Sequence, residues 1–186
     1  MGTPRVSANG WVALLRGINV GGRNTVPMAG LRALVEDAGG DAVSTYIQSG
    51  NLIFTHASRD RAALAVTLAA AVEEGYGVKS TVVLRSFAEI AAIARAEPFG
   101  PDNSQTHVAF LEREPDPKAV RALAELDVAP DEIVVTGSEA YLHYPNGVSG
   151  SKLTPALLER RLGVPGTASN WRTVTQLATM ASAAGL

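Results

Sequence analysis

Trp11-Val12-Ala13-Leu14-Leu15 is an unbroken apolar run ended by Arg16-Gly17. It is short for a helix and suits a strand buried on both faces. After a glycine-rich stretch, Pro27 stands where a first helical residue is tolerated, and Met28, Leu31, Leu34 and Val35 recur at helical spacing until Gly39-Gly40 stops the run. Residues 43–48 and 52–55 are β-favouring runs separated by Ser49-Gly50-Asn51, a hairpin signal. Ser58 is placed to cap an Ala/Leu-rich helix over residues 59–74, with Leu64, Leu68, Ala71 and Val72 on one face and Gly75 at its end. Residues 78–84 supply a fourth strand, and the order βαββαβ is the split βαβ, or ferredoxin-like, series.

The same punctuation continues. Ser86-Phe87-Ala88-Glu89 is a capping box ahead of a short helix carrying Ile90 and Ile93. Prolines, glycine and small polar residues gather in 97–104, which marks a junction between halves. Residues 107–111 read as a strand, Asp116-Pro117 opens a helix with Val120, Leu123 and Leu126 on one face, and strands over 132–135 and 141–144 flank a Gly137-Ser138 turn. Thr154-Pro155 caps a helix through Leu157, Leu158 and Leu162, with Leu153 stapled onto Leu158. Asn170-Trp171 starts a last helix whose stripe of Trp171, Val174, Leu177 and Met180 is expected to seal the core.

The expected fold is therefore α+β. A ferredoxin-like βαββαβ half over 11–97 precedes a degenerate second βαββ-type half with C-terminal helices over 98–186, the two packed as one compact unit. Residues 1–10 lack hydrophobic periodicity and are expected to form a disordered tail. The 186 residues fit one domain or two small halves sharing a core.

Composition narrows the partners. A formal net charge of −2 supplies no positive field for a polyanion, so nucleic acid is not the expected partner. The chain has no cysteine, which excludes disulfides and thiolate chemistry and fits a reducing compartment. His56, His107 and His143 show no metal-ligand spacing, so neither metal nor cofactor is expected. No apolar stretch reaches the roughly 20 residues of a membrane span, and the expected location is the cytoplasm. Oligomeric state is not legible.

Candidate chemistry centres on Arg16-Gly17-Ile18-Asn19-Val20-Gly21-Gly22-Arg23-Asn24, between a strand and a helix. Backbone amides and a helix start there offer N–H groups and a positive dipole end to an anion. Its glycine spacing is neither the dinucleotide fingerprint nor a Walker loop, and a plain turn is the competing explanation. In a split βαβ sheet the first and second strands run parallel, so this loop, the 48–51 hairpin and the turn at Gly75-Tyr76-Gly77 should meet at one edge. The candidate ligand-binding set is Arg16, Asn19, Gly21, Gly22, Arg23, Asn24, Ser49 and Asn51, with Lys152 from a second Gly/Ser-rich loop over 146–152. No Gly-x-Ser-x-Gly elbow or other catalytic constellation is present.

The runs Ala13-Leu14-Leu15-Arg16-Gly17-Ile18-Asn19-Val20-Gly21-Gly22, Val26-Pro27-Met28, Tyr46-Ile47-Gln48-Ser49-Gly50-Asn51, Ser151-Lys152-Leu153 and Asn170-Trp171-Arg172-Thr173-Val174 resemble an uncharacterised bacterial family catalogued as a domain of unknown function. The resemblance covers nearly the whole chain. It implies two ferredoxin-like portions and no established activity. Relatives carry Thr-x-Arg-Asn-Trp-Asn where this chain has Thr167-Ala168-Ser169-Asn170-Trp171-Arg172, so a ligand contact made by that arginine would be lost or relocated here.

The leading expectation is thus a binding module for a small anionic ligand, phosphorylated ligands included. An acylphosphatase-like hydrolase using Arg16 or Arg23 with Asn51 is a fold-level analogy. An RNA-binding sheet would need more aromatics than Phe54 on its central strands. A protein-interaction or dimerisation module without a small ligand completes the set.

Overall fold

The computed structural model describes residues 8–96 and 98–184. Residues 1–7 of the expected tail, and Glu97 in the expected junction, lie outside them; Asn9 and Gly10 already belong to the first strand. The chain divides into two compact units, Met1–Ala91 with Leu177–Leu186, and Ala92–Gln176.

The first unit contains β1 (Asn9–Leu15), α1 (Met28–Asp37), β2 (Asp41–Tyr46), β3 (Asn51–His56), α2 (Arg61–Tyr76) and β4 (Val82–Ser86), in the βαββαβ series. All pairings are antiparallel, in the order β2-β3-β1-β4. Trp11, Ala13, Leu15, Leu52, Phe54, Val82 and Leu84 pack with Leu31 and Val35 of α1 and Leu64, Leu68 and Val72 of α2. Val12, Leu14, Ile53 and Val83, on the opposite face, are buried as well. Central β1 therefore has no polar side to show, which is why it reads as an unbroken apolar run.

Two helix signals fall two residues from their expected places. The Asp60 carboxylate, not Ser58, caps α2 by accepting from the Ala63 amide at 3.0 Å, while the Ser58 hydroxyl accepts from the Asp60 amide at 3.1 Å. The helix runs past Gly75 to a left-handed Gly77, φ 66°. The capping box is present at α3 (Phe87–Ala94): the Ser86 amide donates to Glu89 Oε2 at 2.7 Å and the Glu89 amide to Ser86 Oγ at 3.2 Å. Arg61 Nη2 also donates to both oxygens of Glu89, at 2.7 and 2.6 Å.

The second unit holds β5 (Thr106–Leu111), α4 (Pro117–Ala124), β6 (Glu132–Thr136), β7 (Glu139–His143), α5 (Pro155–Leu162) and β8 (Gly166–Asn170). Its antiparallel order is β6-β7-β5-β8. The expected βαββ half is thus extended by a strand, β8, and both units carry the same element series and the same strand order. Asp116 and Thr154 cap α4 and α5, and Leu153 and Leu158 are buried in one cluster.

Asn170 ends β8 and caps α6 (Trp171–Ala183), its Oδ1 accepting from the Thr173 amide at 2.9 Å. The buried positions of α6 are Thr173, Val174, Leu177 and Ala181. Trp171 and Met180, expected in the core stripe, are only half-buried. Among the described residues no helix is long and apolar enough to cross a membrane.

Candidate functional site

The stretch after β1 is a small hairpin. The Asn19 amide donates to the Asn24 carbonyl and the Arg23 amide to the Val20 carbonyl, each at 3.0 Å. Gly21 and Gly22 form its tip with φ of 58° and 73°, the two positive angles that a type I′ turn demands. Both glycines, Arg23 and Asn24 are exposed. Turn geometry therefore accounts for the glycine pair.

Asn19 locks this hairpin to two other segments. At φ 53°, a left-handed conformation that asparagine tolerates, its Nδ2 donates to the carbonyls of Val26 and Gln48, both at 2.9 Å. Its Oδ1 accepts from the Val26 amide at 2.8 Å. Both side-chain N–H groups are thereby used. Asn24 Nδ2 donates to the Gly17 carbonyl at 2.8 Å, and Asn51, 3% exposed, donates to Ser49 Oγ at 2.8 Å. These amides hold the rim together from inside.

The β2–β3 turn closes on the same rim. The Leu15 amide donates to the Gly50 carbonyl at 3.0 Å, and a Cβ on Gly50 would fall 2.5 Å from Ile18 Cδ1. Ser80 Oγ donates to the Arg16 carbonyl at 2.8 Å and the Arg16 amide to the Thr81 carbonyl at 2.9 Å, so the segment leading into β4 joins as well. Of the Gly75-Tyr76-Gly77 group, Gly75 lies beside Leu34, and the Tyr76 hydroxyl packs on Gly30 in the first turn of α1. That first turn has Pro27 at its N-cap and no side-chain cap.

Residues 9–141 match the family described as protein of unknown function, DUF1697. The chain belongs to the DUF1697 family. No curated protein matches it. Among solved structures it is similar to conserved bacterial protein SP0830 from Streptococcus pneumoniae, with a TM-score of 0.77 and 22% identity over 95% of this chain and 99% of that one. That likeness concerns the fold. The matched residues of this DUF1697 chain include the whole hairpin and the β2–β3 turn.

Lys152 and the later signatures lie beyond the match. Lys152 belongs to the second unit, its Nζ 3.3 Å from the Asp127 carbonyl and 3.9 Å from Asp127 Oδ2. In the same loop Ser151 Oγ donates to Asp131 Oδ2 at 2.6 Å and accepts from the Leu153 amide at 2.8 Å, and the Tyr144 hydroxyl donates to the Leu153 carbonyl at 2.9 Å. Burial, then the Asp131 charge, pushes the Tyr144 phenol up to about 12. Ser151 thus fixes the turn of the Ser-Lys-Leu run.

Three features of this DUF1697 chain were not singled out in the sequence. Val20 and Ile47 stand 63% and 51% exposed on the rim, and Ile47 has φ 52°, a strained angle for a β-branched residue. Arg85 is buried in β4 and donates from Nη1 to the Leu84 carbonyl at 2.9 Å. A signal for Ile47 was present, since a hairpin connection needs positive φ somewhere; none existed for a buried arginine inside an apolar strand. Among the described residues no group of histidine and carboxylate side chains is arranged to hold a metal.

Proposed function

We propose that this protein is a binding module whose rim receives a small anionic group. Arg23, Arg16 and the backbone amides of Gly21, Gly22 and the first turn of α1 make the contacts. Asn19, Asn24, Ser49 and Asn51 act as the frame, and Lys152, a residue of the second unit, already has Asp127 as its partner. One observation carries the reading: α1 starts without a side-chain cap, while Asn19 clamps Val26, just before that helix, to the arginine-bearing hairpin. An uncapped helix start linked to an arginine-bearing hairpin favours an anion electrostatically and by hydrogen bonding. Asn51 is unsuited to the water-positioning role of the hydrolase analogy, because it is buried and engaged with Ser49. Phe54, in the helix-side core, is unsuited to base stacking.

Calorimetric titration with orthophosphate, pyrophosphate and nucleotides tests the proposal. Binding should weaken as salt rises and disappear in Arg23→Ala with the circular dichroism spectrum unchanged. Silence across the whole panel overturns it. The exposure of Val20 and Ile47 favours a second reading, a protein-docking rim without a small ligand. Under that reading Val20→Ser with Ile47→Ser removes an association detected by light scattering, and anions have no effect.

A further inference from the structure

Among the described residues, four buried side-chain polar atoms have no hydrogen-bond partner: Asn103 Oδ1, Thr106 Oγ1, His107 Nδ1 and His143 Nδ1. Three of them belong to residues that backbone pairing brings together at the start of β5. Thr106 pairs directly with His143 across β5 and β7, which puts both side chains on one face with Cβ atoms about 5 Å apart. Asn103 is tied to the same spot by the Thr106 amide, which donates to its carbonyl at 3.0 Å. Thr106 is fully buried and Asn103 is 9% exposed. The Phe99 ring lies against His143, centroids 5.5 Å apart. His107 points to the other face, paired with Leu142 and edge-on to Tyr144, so its orphan nitrogen is a separate matter.

A buried polar atom without a partner destabilises the fold, and three such atoms on neighbouring residues call for a shared partner. We propose that Asn103 Oδ1, Thr106 Oγ1 and His143 Nδ1 bind one buried water molecule. The donors and acceptors balance. The water donates one proton to the Asn103 oxygen and the other to His143 Nδ1, the acceptor nitrogen in one of the two imidazole tautomers, and it accepts the hydroxyl proton of Thr106. A hard cation fits poorly, because it takes six or more oxygens and this set offers two oxygens and a nitrogen. Neighbouring Asp102 is exposed and turns its Oδ1 to the Ser104 amide at 3.0 Å. The water would fasten the segment that leads into β5 onto the β5–β7 pair, a role common to conserved internal waters.

A high-resolution crystal structure of the full chain tests this, with Thr106→Val and Thr106→Ser solved alongside. The wild type and Thr106→Ser should show an isolated water peak within hydrogen-bond distance of residue 106 Oγ and at least one of the other two atoms. Thr106→Val should lose it. A wild-type map with no peak there, or with density too large for water, overturns the proposal, as does a peak that stays unchanged in Thr106→Val. Should Thr106→Val fail to fold, the wild-type and Thr106→Ser maps decide by themselves.

Discussion

Asn19 Nδ2 lies 2.9 Å from the Gln48 carbonyl, joining two turns that are 29 residues apart in sequence. The same amide group makes two further bonds to Val26, so one side chain sets the spacing of three segments. Asn19→Ala should cost about 2–4 kcal/mol, from three hydrogen bonds lost and a left-handed angle imposed on alanine. Asn19→Gly should cost roughly 1 kcal/mol less, because glycine accepts the angle while still losing the bonds. Urea unfolding of the two variants separates the contributions, and equal costs would mean that the backbone angle contributes nothing.

Gly50 and Gly21 both adopt positive φ, at 79° and 58°, but only Gly50 is packed. An alanine Cβ at Gly50 would meet Ile18 Cδ1 at 2.5 Å and Leu15 Cβ at 3.0 Å, whereas at Gly21 it would meet nothing within 4 Å. Gly21→Ala should therefore cost about 1 kcal/mol of backbone strain, and Gly50→Ala that plus about 1–3 kcal/mol of overpacking. Ile18→Ala in the Gly50→Ala background should recover part of the overpacking. Chemical denaturation midpoints that place Gly21→Ala and Gly50→Ala level would show that the turn does not seat on the loop.

Burial pushes the Glu89 carboxyl up, but hydrogen bonds from Arg61 and the Ser86 amide, with the Arg61 charge, outweigh it and hold it below its ordinary value. A carboxyl depressed on folding stabilises the protein above its unfolded pKa of about 4.3, and the contribution is lost as pH falls through the lower folded value. Both side chains are about 40% exposed, which keeps the pair within the modest range of surface interactions. Glu89→Gln should therefore lose about 1 kcal/mol near neutral pH, with the gap to wild type closing in the acid range below about pH 4. A gap that stays constant between neutral and acid urea titrations would assign the effect to the cap geometry alone.

Periodicity and punctuation made most elements legible, because β1, α1 and α2 each bury a recognisable face. Strand β8 was hidden for a physical reason. Gly166-Thr167-Ala168-Ser169-Asn170 has no large apolar residue, and it enters the sheet as an edge strand paired with β5. A Cβ at Gly166 would fall 2.6 Å from the Phe110 carbonyl, so the feature that weakens the strand signal is what allows the close approach. Strand β4 was read too early, at 78–84, because Arg85 looks like the end of a buried run although it is itself buried. At the rim, connectivity alone foretold that the hairpin and the β2–β3 turn would meet. That Asn19, Asn24 and Asn51 spend their amides on the protein depends on where particular carbonyls come to rest, and no spacing rule encodes it.

Ile47 is the residue where stability and use of the rim should part company. A β-branched side chain at φ 52° carries strain of about 1–2 kcal/mol, and at 51% exposure its packing returns little of that. Asparagine tolerates the left-handed region, so Ile47→Asn should stabilise the fold by about 1 kcal/mol, read as a raised thermal midpoint. If the docking reading holds, the same substitution weakens association; if the anion reading holds, phosphate binding is unchanged, since Ile47 supplies no donor. A lowered midpoint would show that the isoleucine makes contacts in solution that outweigh its backbone strain.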